Sequence, residues 1–106
     1  MLELDKIIHE PVRLKIMMIL LGVDSADFCS ICQTLELTNG NLSAHISKLQ
    51  ASRYIRVKKT IVGRIPHTEY SLTKKGRKAL AAYLDCFDRI RSLPTIWATE
   101  KSCFGR

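Results

Sequence analysis

Between Leu4 and Leu21 the apolar residues Ile8, Val12, Ile16 and Ile19 recur at steps of four, four and three, the spacing that lines one face of a helix. Leu14, Met17, Leu20 and Leu21 widen that face. A helix apolar around so much of its circumference is central or lies at a subunit contact. Pro11 suits the first helical position and would clash further inside, so it divides a short lead-in turn from the main helix, which Gly22 ends. After a loop over 23–27, Phe28, Ile31 and Leu35 predict a short second helix reaching Glu36. Leu42, Ile46 and Leu49 predict a third from about Asn39 to Ala51, with the Thr38 hydroxyl as its N-cap.

Past Ala51 the period drops from 3.6 to 2. Ile55, Val57 and Lys59 alternate with Arg56, Lys58 and Thr60, and Thr68, Tyr70 and Leu72 alternate with His67, Glu69 and Ser71, which predicts two strands. Gly63 and Pro66 in the connection Ile61–Pro66 make the pair a hairpin with a loop of several residues. Thr73 then caps a long last helix with an apolar stripe of Leu80, Tyr83, Leu84, Phe87 and Ile90, stopped before Pro94. No regular structure is expected from Thr95 to Arg106. The fold class is therefore α+β and mainly helical, with residues 1–93 forming one domain and 94–106 a tail. The order helix, short helix, tight turn, helix, hairpin, helix is that of a winged helix-turn-helix with a two-stranded wing, whose third helix enters the major groove of DNA.

Charge sharpens this picture. The 106 residues carry 17 Lys+Arg against 10 Asp+Glu, a net +7. Residues 1–36 hold six acids and three bases, residues 37–78 one acid and ten bases, and residues 79–106 three acids and four bases. Any surface for an anion is thus built from residues 37–78. With 46% hydrophobic residues the chain buries a core, which argues against intrinsic disorder. Its longest apolar run, Ile16 to Leu21, is far below the roughly 18–20 residues that cross a bilayer. The start Met-Leu-Glu-Leu-Asp has no cationic leader, so a cytoplasmic address and reduced cysteines are expected.

Rotating the third helix at 100° per residue gathers Leu42, Ile46 and Leu49 within about 60° and leaves Gly40, Ser43, Ala44, Ser47, Lys48 and Ala51 on the far side. Small side chains there let the helix axis approach bases closely, while Asn39, Asn41 and Ser43 offer groups that base edges read. The free amides of its first turn face phosphate. Beside it, Arg56, Lys58, Lys59, Arg64 and His67 share a narrow hairpin opposed only by Glu69, a pattern suited to phosphate contacts or to insertion of Arg64 into a minor groove. Edge protection of the sheet by Lys and Arg is the competing reading.

From Leu4 to Leu84 the chain resembles the compact winged-helix regulators of the MarR and ArsR groups. The matching text is Ile8-His-Glu-Pro-Val-Arg-Leu14, Leu37-Thr-Asn-Gly-Asn-Leu-Ser-Ala-His-Ile-Ser-Lys-Leu49, Tyr54-Ile-Arg-Val-Lys58, Gly63-Arg-Ile-Pro-His-Thr68 and Tyr70-Ser-Leu-Thr-Lys-Lys-Gly76. The resemblance implies a dimeric regulator of transcription that binds double-stranded DNA, with Thr38 to Lys48 as recognition helix and Lys58 to His67 as wing. Dimerisation has a second support, because three small helices and a hairpin do not cover both the first helix and the Leu80, Tyr83, Leu84, Phe87, Ile90 stripe. A two-fold dimer places its recognition helices about 34 Å apart on a pseudo-palindromic site.

Cys29 and Cys32 form a C-x-x-C pair, but no nearby histidine or second pair completes a four-ligand metal site. Cysteines filling small, partly buried sites are the expected reading, and no cofactor is expected. A thiol- or metal-responsive regulator stays open as an alternative, as does a winged-helix interaction module that uses Trp97 and Phe104 without touching DNA. His9 is expected as a cap or packing residue, His45 in a structural role beside the buried stripe and His67 near phosphate. No Ser-His-Asp or Cys-His context points to an activated nucleophile, and five glycines are too few for a phosphate-cradling loop, so no enzyme is expected.

Overall fold

The computed structural model describes residues 3–92. The expected tail, with Trp97, Cys103 and Phe104, lies outside them.

The lead-in turn forms because the Asp5 carboxylate accepts the Ile7 and Ile8 amides at 2.8 and 3.2 Å. Helix α1 spans Pro11–Leu21, with Pro11 in its first turn and the Glu10 side chain accepting the Arg13 amide at 2.7 Å. Its core face is Ile16, Met17 and Leu20, and Ile19 is only half-buried. Periodicity selected Ile19 because nearly every position from Ile16 to Leu21 is apolar and the pattern alone does not fix the rotation. Gly22 follows in ordinary right-handed backbone (φ −88°), so glycine's freedom is unused there.

Strand β1, Ala26–Asp27, falls in the expected loop and pairs antiparallel with β3 through Ala26↔Tyr70 and Asp27↔Glu69. Two residues are too few for an alternation signal. Helix α2, Phe28–Leu35, buries Ile31 and Cys32 and ends one residue before the expected Glu36, which is left-handed at φ 55°. The Leu37 amide reaches back to the Cys32 carbonyl at 3.0 Å, closing the helix and leaving Thr38 to start the next. Helix α3 spans Asn39–Ala51, and the Thr38 hydroxyl accepts the Asn41 amide at 3.1 Å, as the capping pattern requires.

Strands β2, Ile55–Val62, and β3, Ile65–Leu72, pair residue for residue from Ile55↔Leu72 to Val62↔Ile65. The sheet order is β1-β3-β2. The connection is therefore two residues, Gly63 and Arg64, in place of the expected longer loop. Gly63 at φ +68° takes the first central position, where the tightest hairpins need glycine. Pro66 stays within β3 because β3's other partner, β1, covers only Tyr70 and Glu69, so the missing amide at 66 breaks no ladder bond on that side.

Helix α4, Lys74–Arg91, is capped by Thr73, whose hydroxyl accepts the Gly76 amide at 2.9 Å. One core unites Ile8, Ile16, Met17, Leu20, Ile31, Leu42, Leu49 and Leu80 with Ile55, Tyr70 and Leu72 at the inner end of the hairpin. Leu80 and Tyr83 of the last stripe are buried in it, whereas Leu84 is half-buried and Phe87 and Ile90 stand 42% and 41% exposed. Burial, then the hydrogen bond to Asp5, pushes the Tyr54 hydroxyl up to about 12 and keeps it protonated as a donor to that carboxylate.

Of the described glycines, Gly76 is the one packed tightly against backbone. A Cβ at this position overlaps the Tyr54 carbonyl oxygen, which is backbone and cannot turn away. Gly76→Ala is expected to cost about 3 kcal/mol or more in urea denaturation, at the upper end for an overpacked site. Gly40→Ala, with open space around its Cβ, gains up to about 1 kcal/mol from helix propensity alone. Equal midpoints for the two variants would contradict this packing.

Candidate nucleic-acid interface

Helix α3 is two-sided. Leu42, Ile46 and Leu49 are buried, and Thr38, Asn39, Gly40, Asn41, Ser43, Ala44, Ser47 and Lys48 are all exposed. Two contacts fix its roll from outside the apolar core. Arg13 on α1 donates from Nε to the Ile7 carbonyl at 2.6 Å and sets Nη1 3.2 Å from His45 Nδ1. Glu10 Oε1 stands 3.7 Å from the same ring nitrogen. His45 is thus a structural residue, tying α3 to the start of α1. At the helix N-terminus the Cys32 thiol donates to Asn39 Oδ1 at 3.5 Å, which orients that amide.

The hairpin's cations divide between two faces, because successive strand residues point to opposite sides. Lys59 lies on the face toward α3, together with Val57 and, across the ladder, Thr68 and Tyr70. Arg56, Lys58 and His67 occupy the other face, and Arg64 sits at the turn. Between α3 and the sheet runs a groove of about 380 Å³ whose polar lining is Ser43, Ser47, Gln50, Lys59 and Thr68. Gln50 and Thr68 are additions to the residues found from sequence. The signal was available for Gln50, which follows Ser43 and Ser47 by seven and three residues on one helical face, whereas Thr68 enters through its pairing with Lys59, which only the register shows. His67 does not stand free, because its Nε2 lies 3.4 Å from Glu69 Oε2. Glu69 also accepts from the Ser25 hydroxyl at 3.2 Å.

Lys74, Lys75, Arg77 and Lys78 are exposed on the first turns of α4, with Lys75 Nζ 5.7 Å from the centre of the Tyr54 ring. His9 does pack, with Nδ1 2.8 Å from the Tyr83 hydroxyl. Among the described residues no group of three or more His, Cys, Asp or Glu is placed to hold a metal ion, and no helix is long and apolar enough to cross a membrane.

A family model described as a winged helix DNA-binding domain matches residues 12–90. The chain belongs to this winged-helix DNA-binding family. An uncharacterized protein of Methanocaldococcus jannaschii is 34% identical over 79 residues, covering 74% of this chain and 86% of the relative. A solved transcriptional regulator homologue from Pyrococcus horikoshii is similar at 34% identity and a TM-score of 0.75, covering 79% of this chain and 83% of its own. A MarR-family regulator from Enterococcus faecalis shares the fold at 18% identity and a TM-score of 0.67, covering 91% and 83%. In this winged-helix domain the β2–β3 hairpin is the two-stranded wing expected from the sequence.

The C-x-x-C pair is split. Cys29 is exposed and Cys32 is buried against α3, so they do not fill equivalent partly buried sites. In a Cys103→Ser background the native protein is expected to show one rapidly alkylated thiol, Cys29, with Cys32 and Cys86 reacting only on unfolding. Mass spectrometry of partial alkylation reads this directly. Joint modification of Cys29 and Cys32 in the folded protein would rejoin the pair.

Proposed function

We propose that this winged-helix protein is a homodimeric transcriptional regulator that reads a pseudo-palindromic duplex. The observation that carries the reading is the division of α3, whose apolar third is buried while every polar or small residue at 38–48 outside it, except the half-buried His45, faces solvent beside a hairpin rich in cations. Asn39, Asn41, Ser43, Ser47 and Lys48 read base edges, with Gly40 and Ala44 permitting close approach. Arg56, Lys58, Lys59 and Arg64 hold phosphates.

Support for the dimer comes from an uncovered apolar surface. On α1, Pro11, Leu14, Met18 and Leu21 follow at steps of three, four and three, and Met18 and Leu21 are exposed although the opposite side of that helix is core. Pro11 and Leu14 border a notch of about 400 Å³ whose far wall is Tyr83. Tyr83 packs edge-on against Phe87 at 5.0 Å, which carries the surface on to Ile90. A second protomer seated there covers the ends of both helices at once, and its two-fold axis brings two recognition helices to successive turns of one face of DNA, roughly 34 Å apart.

Two measurements test this. Sequence selection from a random duplex pool, followed by binding over a range of salt, is expected to show Arg64→Ala weakening all duplexes and lowering the salt slope by about one, whereas Asn41→Ala mainly erodes sequence preference by about 1–3 kcal/mol. An Arg64→Ala protein with unchanged slope would remove the wing from the interface. Sedimentation is expected to give a dimer for the parent chain and a folded monomer for Phe87→Glu combined with Ile90→Glu. A dimer that survives both charges would place the seam elsewhere.

A further inference from the structure

The outer end of the wing does not look like a device for holding phosphates alone. Ile61, Val62 and Ile65 are 73%, 62% and 70% exposed, the most exposed large apolar side chains among the described residues. They cluster because the two-residue turn at Gly63 and Arg64 draws the strand ends together. The ladder puts Ile61 and Pro66 on one face and Val62 and Ile65 on the other, so the tip is apolar on both sides. It is also only two strands wide, about 5 Å between their axes. At about 3.3 Å per residue it projects roughly 20 Å beyond Ile55 and Leu72, where the hairpin enters the core.

What surrounds the tip says what it meets. From Lys58 through Thr68 there are two lysines, an arginine and a histidine, and no acidic residue. Glu69 comes next, already engaged by Ser25 and His67. A narrow apolar point backed by cations complements a narrow polyanionic cleft with an apolar floor of stacked bases. Minor grooves are entered in this way by side chains that part a base step and kink the duplex.

We infer that the wing tip is an apolar wedge. Resting on the DNA-binding reading above, Ile61 and Ile65 enter the minor groove flanking the major-groove site and partly unstack one base step, and Arg64 lies along the groove beside them. The wedge bends the duplex and makes the protein favour pyrimidine–purine steps, which open most easily, at a place where no hydrogen bond reads the sequence. It explains why branched apolar residues occupy a tip where polar turn residues would serve phosphate binding equally well.

The test uses the full chain and duplexes it selects from a random pool, carrying a fluorophore at each end and 2-aminopurine in the flanking step. The probe for the variants is the doubly substituted Ile61→Thr, Ile65→Thr protein, since threonine keeps the strand preference and circular dichroism checks the fold. The parent chain is expected to shorten the end-to-end distance and brighten the 2-aminopurine. The variant is expected to lose both signals and at least tenfold in affinity for duplexes with a flanking TA or CA step, with its salt slope unchanged because every cation remains. A variant that bends and binds like the parent overturns the wedge while leaving DNA binding intact. A parent chain that binds no duplex at low salt overturns both readings. Tip-dependent binding to phosphatidylserine vesicles with straight DNA would assign the tip to a lipid surface and also overturn the wedge.

Discussion

The geometry of this domain depends on one corner, where Thr73 meets the backbone of Arg53 and Tyr54. The Thr73 hydroxyl donates to the Arg53 carbonyl at 2.7 Å and accepts the Gly76 amide at 2.9 Å. The Thr73 amide donates to the Tyr54 carbonyl at 3.1 Å, and Gly76 lets α4 lie directly on that carbonyl. One residue thereby joins the end of α3, the start of the wing and the N-terminus of the last helix. Energetically the corner is modest, since each bond is worth about 1 kcal/mol net, whereas burying a single core side chain such as Leu49 or Leu80 contributes about 2 kcal/mol. Its role is to set angles. The helix end that feeds it is a Schellman closure, with the Tyr54 amide on the Leu49 carbonyl at 3.0 Å and the Arg53 amide on the Gln50 carbonyl at 2.9 Å. Arg53 takes the left-handed position at φ 63° that glycine usually fills, and a strain of about 1 kcal/mol is accepted there.

Electrostatic segregation along the chain becomes spatial through the same architecture. Five acids are engaged locally: Asp5 by two amides and Tyr54, Glu10 by the α1 cap, Glu69 by Ser25 and His67, and Asp85 and Asp88 by Arg89 and Arg91 on α4. Among the described residues Arg56, Lys58, Lys59 and Arg64 form no ion pair. Surface ion pairs are worth at most about 1 kcal/mol, so leaving these four without partners costs the fold little. What it provides is a field that counterion release converts into affinity for a polyanion.

How much of this was legible in the sequence divides along the range of the interactions. The boundaries of α3 and the caps at Thr38 and Thr73 were readable because a hydroxyl and an amide three residues apart decide them. The stripe Leu42, Ile46, Leu49 was equally plain because its neighbours are polar. In α1 the neighbours are apolar too, and the rotation that buries Met17 and Leu20 ahead of Ile19 is set by partners far along the chain. Strand β1 exists only through its pairing with Tyr70 and Glu69, and nothing in two residues announces that. The hairpin was shortened in the reading because Ile61, Val62 and Ile65 break the alternation of a half-buried strand, and Gly and Pro nearby imitate a longer loop. Of the candidate site, the members on α3 and the cations were readable, while the split of those cations between two faces needed the register.

The contacts of α1 carry a further consequence for how the site is held. Its inner face anchors α3, through the core and through Arg13 on His45. Its outer edge, Pro11 and Leu14, forms the notch against Tyr83, and His9 bonds the Tyr83 hydroxyl one residue before Glu10 caps the helix and approaches His45. Spatial continuity alone is not coupling. Here, however, the same turn of backbone, His9 to Arg13, supplies both the wall of the uncovered notch and the polar partners of α3. Anything that fills the notch and shifts this turn must therefore either carry α3 with it or break the Arg13 to His45 contact. A rigid placement of α3 and an open apolar notch are thus two sides of one short segment.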